Sequence, residues 1–158
     1  MASRGQAVSL DFICGLFIFL ILIAYLLVTW DNMAEQYAGY VKNRGMELKA
    51  ISLANQLVSS PGQPFNWTAA PQGAKSIGLA KKPNELDPYR VSALGSLPYA
   101  DAKRLLGIES DFAVRIEAQG GAVLAAIGQM ENSTRAVEVT RLALYEGEAA
   151  SLKVRLYE

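Results

Sequence analysis

The residues able to carry chemistry are few and scattered. The chain of 158 residues has no His and one Cys, Cys14. Without His, the commonest general base and the commonest transition-metal ligand are missing. A single Cys excludes an intrachain disulfide and a Cys-rich zinc site. Beyond residue 80 the main carboxylates are Asp87, Asp101, Glu109, Asp111, Glu117, Glu131, Glu138, Glu146 and Glu148. None has a spacing that calls for a metal or an acid–base pair, so solvated faces account for them. Gly120-Gly121 is followed by no Lys-Ser/Thr and reads as a turn rather than a phosphate loop. Arg141 either pairs with Glu138 or reaches water. The expectation is therefore no enzyme, no cofactor and no metal. Lys and Arg number 15 and Asp and Glu 15, intermixed along the chain, which gives no basic footprint for nucleic acid.

One carboxylate has an unusual setting. Asp11 stands at the mouth of an apolar run, residues 12–30, of about 19 positions without a charge, enough to cross a hydrocarbon core of roughly 30 Å. A carboxylate costs more the deeper it enters a membrane. Two readings stay open. Asp11 sits wet at the headgroup level, in an early helical turn whose dipole favours negative charge. Alternatively it awaits a cation, such as the N-terminal ammonium of a neighbouring copy.

The run itself reads as a retained span. It ends in "VTWDNM", which offers no small-x-small cleavage site. Arg4 precedes it and Asp31 and Glu35 follow, so the N-terminus is expected in the cytoplasm and the rest outside. Tyr25 and Trp30 suit the outer half and the outer interface. Cys14 follows "DFI" rather than a small residue, which argues against lipid attachment, and reads as a small apolar helix residue.

Past the run, residues 31–60 predict a continuing helix that turns amphipathic. Met33, Tyr37, Val41, Leu48, Ile51 and Val58 recur at steps of three, four or seven. Gly39 and Gly45 weaken it, "KNRG" marks a soft joint, and "SSPG" ends it. "PGQPFNWTAAPQG" is a Pro- and Gly-dense loop in which Trp67 anchors to the head. Asn66-Trp67-Thr68 and Asn132-Ser133-Thr134 are glycosylation sequons in loops placed outside, although Asn66 could instead cap its loop. Asp87 followed by Pro88 predicts an N-cap and a helix over 88–94. A second helix over 99–106 stops at Gly107.

The tail changes period. "DFAVRIEAQ" alternates, with Phe112, Val114 and Ile116 on one face. Gly120-Gly121 turns it into "AVLAAIGQ". "AVEVTRLALY" alternates, with Val137, Val139, Arg141 and Ala143 on one face. "EGE" turns it into "SLKVRLYE", with Leu152, Val154 and Leu156 inward. Four strands in two hairpins with one greasy face need a cover, and residues 46–58 of the long helix provide it. The expected fold is α+β: a long N-terminal transmembrane helix packed on a small four-stranded antiparallel sheet, with two short helices, a lollipop in outline.

"RGQAVSLDF" followed by a long apolar helix resembles the leader and helix start of archaeal type IV pilin-like proteins with a class III signal peptide. The resemblance implies that a prepilin peptidase cuts between Gly5 and Gln6 on the cytoplasmic side and that the apolar helix stays on the mature chain. Ser9, Asp11 and Phe12 fill the family's Ser, acidic and aromatic positions. Residues 1–5 become the leader, 6–30 the transmembrane and polymerisation helix, 31–60 its amphipathic continuation and 61–158 the extracellular head. It further implies self-assembly through the N-terminal helix, registration of subunits by Asp11, an assembly ATPase and platform, and a cell-surface filament as the product. The family pattern is Gln-x-Ser-x-acidic-aromatic, whereas this chain carries one more residue before its Ser. That step turns a side chain by about 100° and moves it about 1.5 Å along a helix, so cleavage before Gln6, before Ala7, or not at all stay open. The expected function is a major or minor filament subunit. The other expectation is a monomeric, single-pass anchored surface protein whose head binds a ligand or partner.

Overall fold

The computed structural model describes residues 4–129, 133 and 135–158. Contacts divide the chain into two units, residues 1–42 and 43–158.

One helix, α1 (Arg4–Ser59), runs through both. In the first unit its apolar side chains from Leu10 to Val41 are exposed almost without exception. It is the one helix among the described residues long and apolar enough to cross a membrane. "KNRG" does not interrupt it.

In the second unit the buried stripe of α1 is Met46, Ala50, Leu53, Ala54, Leu57 and Val58. This corrects the expected stripe: Leu48 is exposed and Ile51 only half-buried. The expected register passes over Leu53 and Leu57 as well as the two alanines, because apolar residues on more than one face leave the choice of face to the packing partners. At the end of the helix, backbone carbonyls that no intrahelical partner reaches accept from the following loops. Leu79 N donates to Leu57 O at 2.9 Å, Asn84 N to Val58 O at 3.0 Å, and Ala80 N to Ser60 O at 3.0 Å. A Cβ on Gly78 would overlap the Ser60 carbonyl, so only glycine permits this approach.

The sheet corrects the expected four antiparallel strands. It has six, in the order β3-β4-β7-β8-β5-β6. The four expected strands are present as β5 (Asp111–Ala118), β6 (Val123–Ile127), β7 (Ala136–Tyr145) and β8 (Glu148–Tyr157). To these the loop region adds β3 (Ala80–Lys82) and β4 (Glu85–Leu86). These two pair antiparallel, and β4 then runs parallel to β7, with Glu85 opposite Leu144 and Leu86 opposite Tyr145. The sheet is therefore mixed. Strands this short show no readable alternation, and a parallel pair needs a long crossover connection that no local pattern reveals. A separate two-stranded pair joins β1 (Gly62–Gln63) to β2 (Ser76–Ile77).

The central hairpin forms because Glu146 and Gly147 both take positive φ, 53° and 87°, the two-residue turn whose twist matches that of the strands. β7 and β8 then pair from Tyr145–Glu148 to Ala136–Tyr157. Phe112, Val114, Ile116, Leu152, Val154 and Leu156 share one core with Ala50, Leu53, Ala54, Leu57 and Val58 of α1, and Val137 and Val139 pack against it. Arg141 points to the same side, and its Nε donates to Asn55 Oδ1 of α1 at 2.9 Å. Glu138 faces Arg155 instead, at 3.9 Å.

Helix α2 (Pro88–Ser96) outlasts its expected end by two residues, and α3 (Tyr99–Leu106) ends at a left-handed Gly107. Asp87 caps α2, its Oδ1 accepting from Tyr89 N at 2.9 Å. Asp87→Ala is expected to lower head stability by about 1 kcal/mol or more, through loss of the cap and of the carboxylate beside buried Arg90, while Asp87→Asn, which keeps the acceptor but not the charge, recovers only the cap's share. Urea unfolding of the detergent-solubilised chain measures both.

Candidate assembly surface

The N-terminal unit offers a surface rather than a pocket of reacting groups. From Leu10 onward the first half of α1 presents Phe12, Ile13, Leu16, Phe17, Ile18, Phe19 and their successors to the outside, and the most apolar 18-residue window has no buried share at all. In water each such large side chain would forgo about 1.5–3 kcal/mol of burial. A bilayer or the helices of other copies can supply that burial.

Asp11 lies on this helix and is exposed. Its side chain makes no ion pair or hydrogen bond with another described side chain. Gly5 and Gln6 fall within the helical backbone, but their side chains, like residues 1–3, lie outside the described residues. Cys14 is free and exposed on the same helix.

Asn66 is exposed, and its side chain makes no capping hydrogen bond to the short 3-10 turn Trp67–Ala69. The loop-capping reading of Asn66 is thereby set aside. The neighbouring Trp67 is fully buried, and its Nε1 donates to Pro61 O at 3.0 Å and Gly78 O at 3.1 Å. The sequon thus presents its Asn from a backbone pinned by the next side chain. Asn132 lies outside the described residues. Among the described residues no group of His, Cys, Asp and Glu could hold a metal ion.

Two polar arrangements in the head escape a reading by spacing. Arg90, 4% exposed, reaches from α2 to three elements. Its Nη1 donates to Ala80 O at 2.6 Å and lies 3.4 Å from Asp87 Oδ2, its Nη2 donates to Phe65 O at 3.2 Å, and its guanidinium lies 4.4 Å from the centre of the Phe65 ring. A planar donor fork suits this buried carbonyl clamp. The i,i+3 spacing from Asp87 was the available signal. In the second arrangement, Asp111 Oδ1 accepts from Lys103 Nζ at 2.9 Å and from Tyr99 Oη at 3.0 Å, and the Tyr99 ring stacks on Phe112.

These contacts shift titration. The hydrogen bond from Lys103, followed by that from Tyr99, holds Asp111 below its ordinary 3.8, and the bond from Lys153 holds Glu117 below 4.5. Burial pushes Tyr99 above 10.0, and the bond to Asp111 raises Lys103 above 10.5. For the carboxylates the unfolded chain binds more protons, so their contribution is present above their ordinary values and lost as pH falls through the depressed ones. For Tyr99 and Lys103 the folded chain binds more protons, so their contribution is present below 10.0 and 10.5 respectively and is lost as pH rises through the raised values. Melting temperature is expected to decline at both extremes. In Asp111→Asn the acid-side decline should shrink, because the contribution of Asp111 is removed. An unchanged acid limb in that variant would contradict the assignment.

Comparison with protein-family models, with characterised proteins and with solved structures finds no match to this chain.

Proposed function

We propose that the chain is a structural subunit of an archaeal type IV pilus-like surface filament, held in the membrane by α1 as a precursor and assembled through the same helix after its leader is removed. The observation that carries this reading is the division of labour along α1. Its first half is apolar and uncovered, with a carboxylate at its start, while its second half is built into the core of an α+β head. A plain anchor needs the apolar length but only tolerates an acid at the mouth of the span. The leader sequence "RGQAVSLDF" supports the same reading by resemblance.

In this account a prepilin peptidase cuts before Gln6 or Ala7. Copies then exchange lipid contact for helix–helix contact, driven by a motor ATPase and platform outside this chain. Asp11 pairs with the new ammonium of a neighbour, and this pairing selects register more than it adds stability, because burying both charges cancels much of their attraction. The head faces the exterior with Asn66 available for a glycan. The subunit works by assembly rather than by catalysis.

The single-pass alternative draws on the one-residue offset of Asp11 from the family spacing. Immunogold labelling of native-host cells with an antibody against the head separates the two. Gold along sheared filaments marks a bulk subunit, and gold at their tips a minor one. Label confined to the cell envelope, with filaments bare, would sink the filament reading.

A further inference from the structure

Between the apolar run and the head, α1 carries a second pattern. Trp30, Met33, Tyr37 and Tyr40 recur at steps of three and four and are 75%, 69%, 71% and 67% exposed. Traced backward, the same register holds Leu26, Ile23, Phe19, Leu16 and Phe12. This is the a/d seam of a left-handed coiled coil. The positions beside the seam, which face a partner across it, hold Ala34, Gln36, Val41 and Asn43, none charged. The charges of this stretch, Asp31, Glu35 and Lys42, fall in the register away from it. Traced forward, the next two seam positions are Arg44 and Glu47, which pair within the chain at 2.8 Å. The seam stops at the boundary between the two units.

The occupant follows from this layout. With Trp30 at the outer edge of the hydrocarbon core and the helix upright, Tyr40 stands about 15 Å beyond it, past headgroups that extend about 6 Å, so lipid would leave the seam's upper end uncovered. An identical chain in the same membrane is parallel and level, so it meets the seam in register. Uncharged flanking positions then bring no like charges together, which identical copies would otherwise do.

We propose that the uncut, membrane-anchored chain pairs with a second, parallel copy of itself through Trp30, Met33, Tyr37 and Tyr40, before and independently of leader removal. The proposal rests on the membrane-anchored reading of α1, not on processing or on filaments.

Disulfide trapping tests it. Full-length chain carrying Cys14→Ser is expressed in membranes of a host without the peptidase, and intact mass verifies that it is uncut. Single cysteines are placed on the seam (Met33→Cys, Tyr37→Cys, Tyr40→Cys) and away from it (Glu35→Cys, Lys42→Cys). Only Cα atoms within about 7 Å can be bridged. Mild oxidation should therefore give at least about tenfold more covalent homodimer from the seam positions than from the other two. Three seam positions guard against one variant failing to insert, and membrane fractionation reports insertion for each. Equal trapping on both faces would mean random collision and overturn the proposal. So would no homodimer from any inserted seam variant. Shielding of Tyr37→Cys and Tyr40→Cys from a membrane-impermeant thiol reagent would then point to a lipid-bound helix, and adducts of another mass to a different protein.

Discussion

Asp11→Ala is expected to abolish filaments while leaving the chain in the membrane. Removing a carboxylate from the mouth of a spanning helix can only ease insertion, so the precursor should accumulate at least as well as the wild type. What is lost is the group that meets a neighbour's ammonium. Asp11 is exposed and has no partner among the described residues of its own chain, so no loss of head stability should accompany the change. The measurement is paired: membrane fractionation for insertion, and electron microscopy of sheared material for filaments. Asp11→Asn keeps the shape and hydrogen-bonding capacity but not the charge, and should behave like Asp11→Ala if the partner is a cation. Deleting Ala7 restores the spacing Gln-x-Ser-x-acidic-aromatic and should leave assembly intact or improve it. Normal filaments from Asp11→Ala would end the registration role.

The second large effect is in the head. Trp67→Ala is expected to cost about 3–5 kcal/mol through the cavity left by a fully buried indole. Loss of the Nε1 donor also leaves the carbonyls of Pro61 and Gly78 without that partner. Against a total stability of about 5–15 kcal/mol for a domain, this is a large share of the margin, and near the lower end of that range it would unfold a sizeable fraction of molecules. Trp67→Phe keeps most of the volume and loses only the hydrogen bonds, so it should cost about 1–2 kcal/mol more than the change in packing alone. Denaturant titration followed by far-ultraviolet circular dichroism reads both without relying on the tryptophan that is removed. A cost below about 1 kcal/mol for Trp67→Ala would show that the loop is not anchored through this side chain.

Much of the head could be read from local chemistry. The Asp87-Pro88 start of α2, the Gly107 stop of α3 and the four long strands each follow from a cap, a left-handed glycine or a period of two. What escaped notice lacks a period. β3 and β4 hold three and two residues, and their place in the sheet depends on a parallel contact with β7 far along the chain. The buried face of α1 was misread because the expected register ran through Leu48 and Ile51 and passed over Leu53 and Leu57 as well as Ala50 and Ala54. Beyond its spacing from Asp87, Arg90 gives no readable signal of its clamp, since its acceptors are carbonyls contributed by distant backbone. The assembly surface differs from these. Its apolar run and Asp11 are plain in the sequence, and in the proposed reading what completes them belongs to another molecule.

The most direct test of the filament account is the N-terminal sequence and intact mass of the chain recovered from sheared surface material and from membranes of its native host. The account predicts a sheared form that begins at Gln6 or Ala7, lacking its leader and carrying the whole of the apolar helix. A chain that begins at Met1 or Ala2 and is found only in membranes would contradict it, and Asp11 would then be a wet carboxylate at the head of an ordinary anchor.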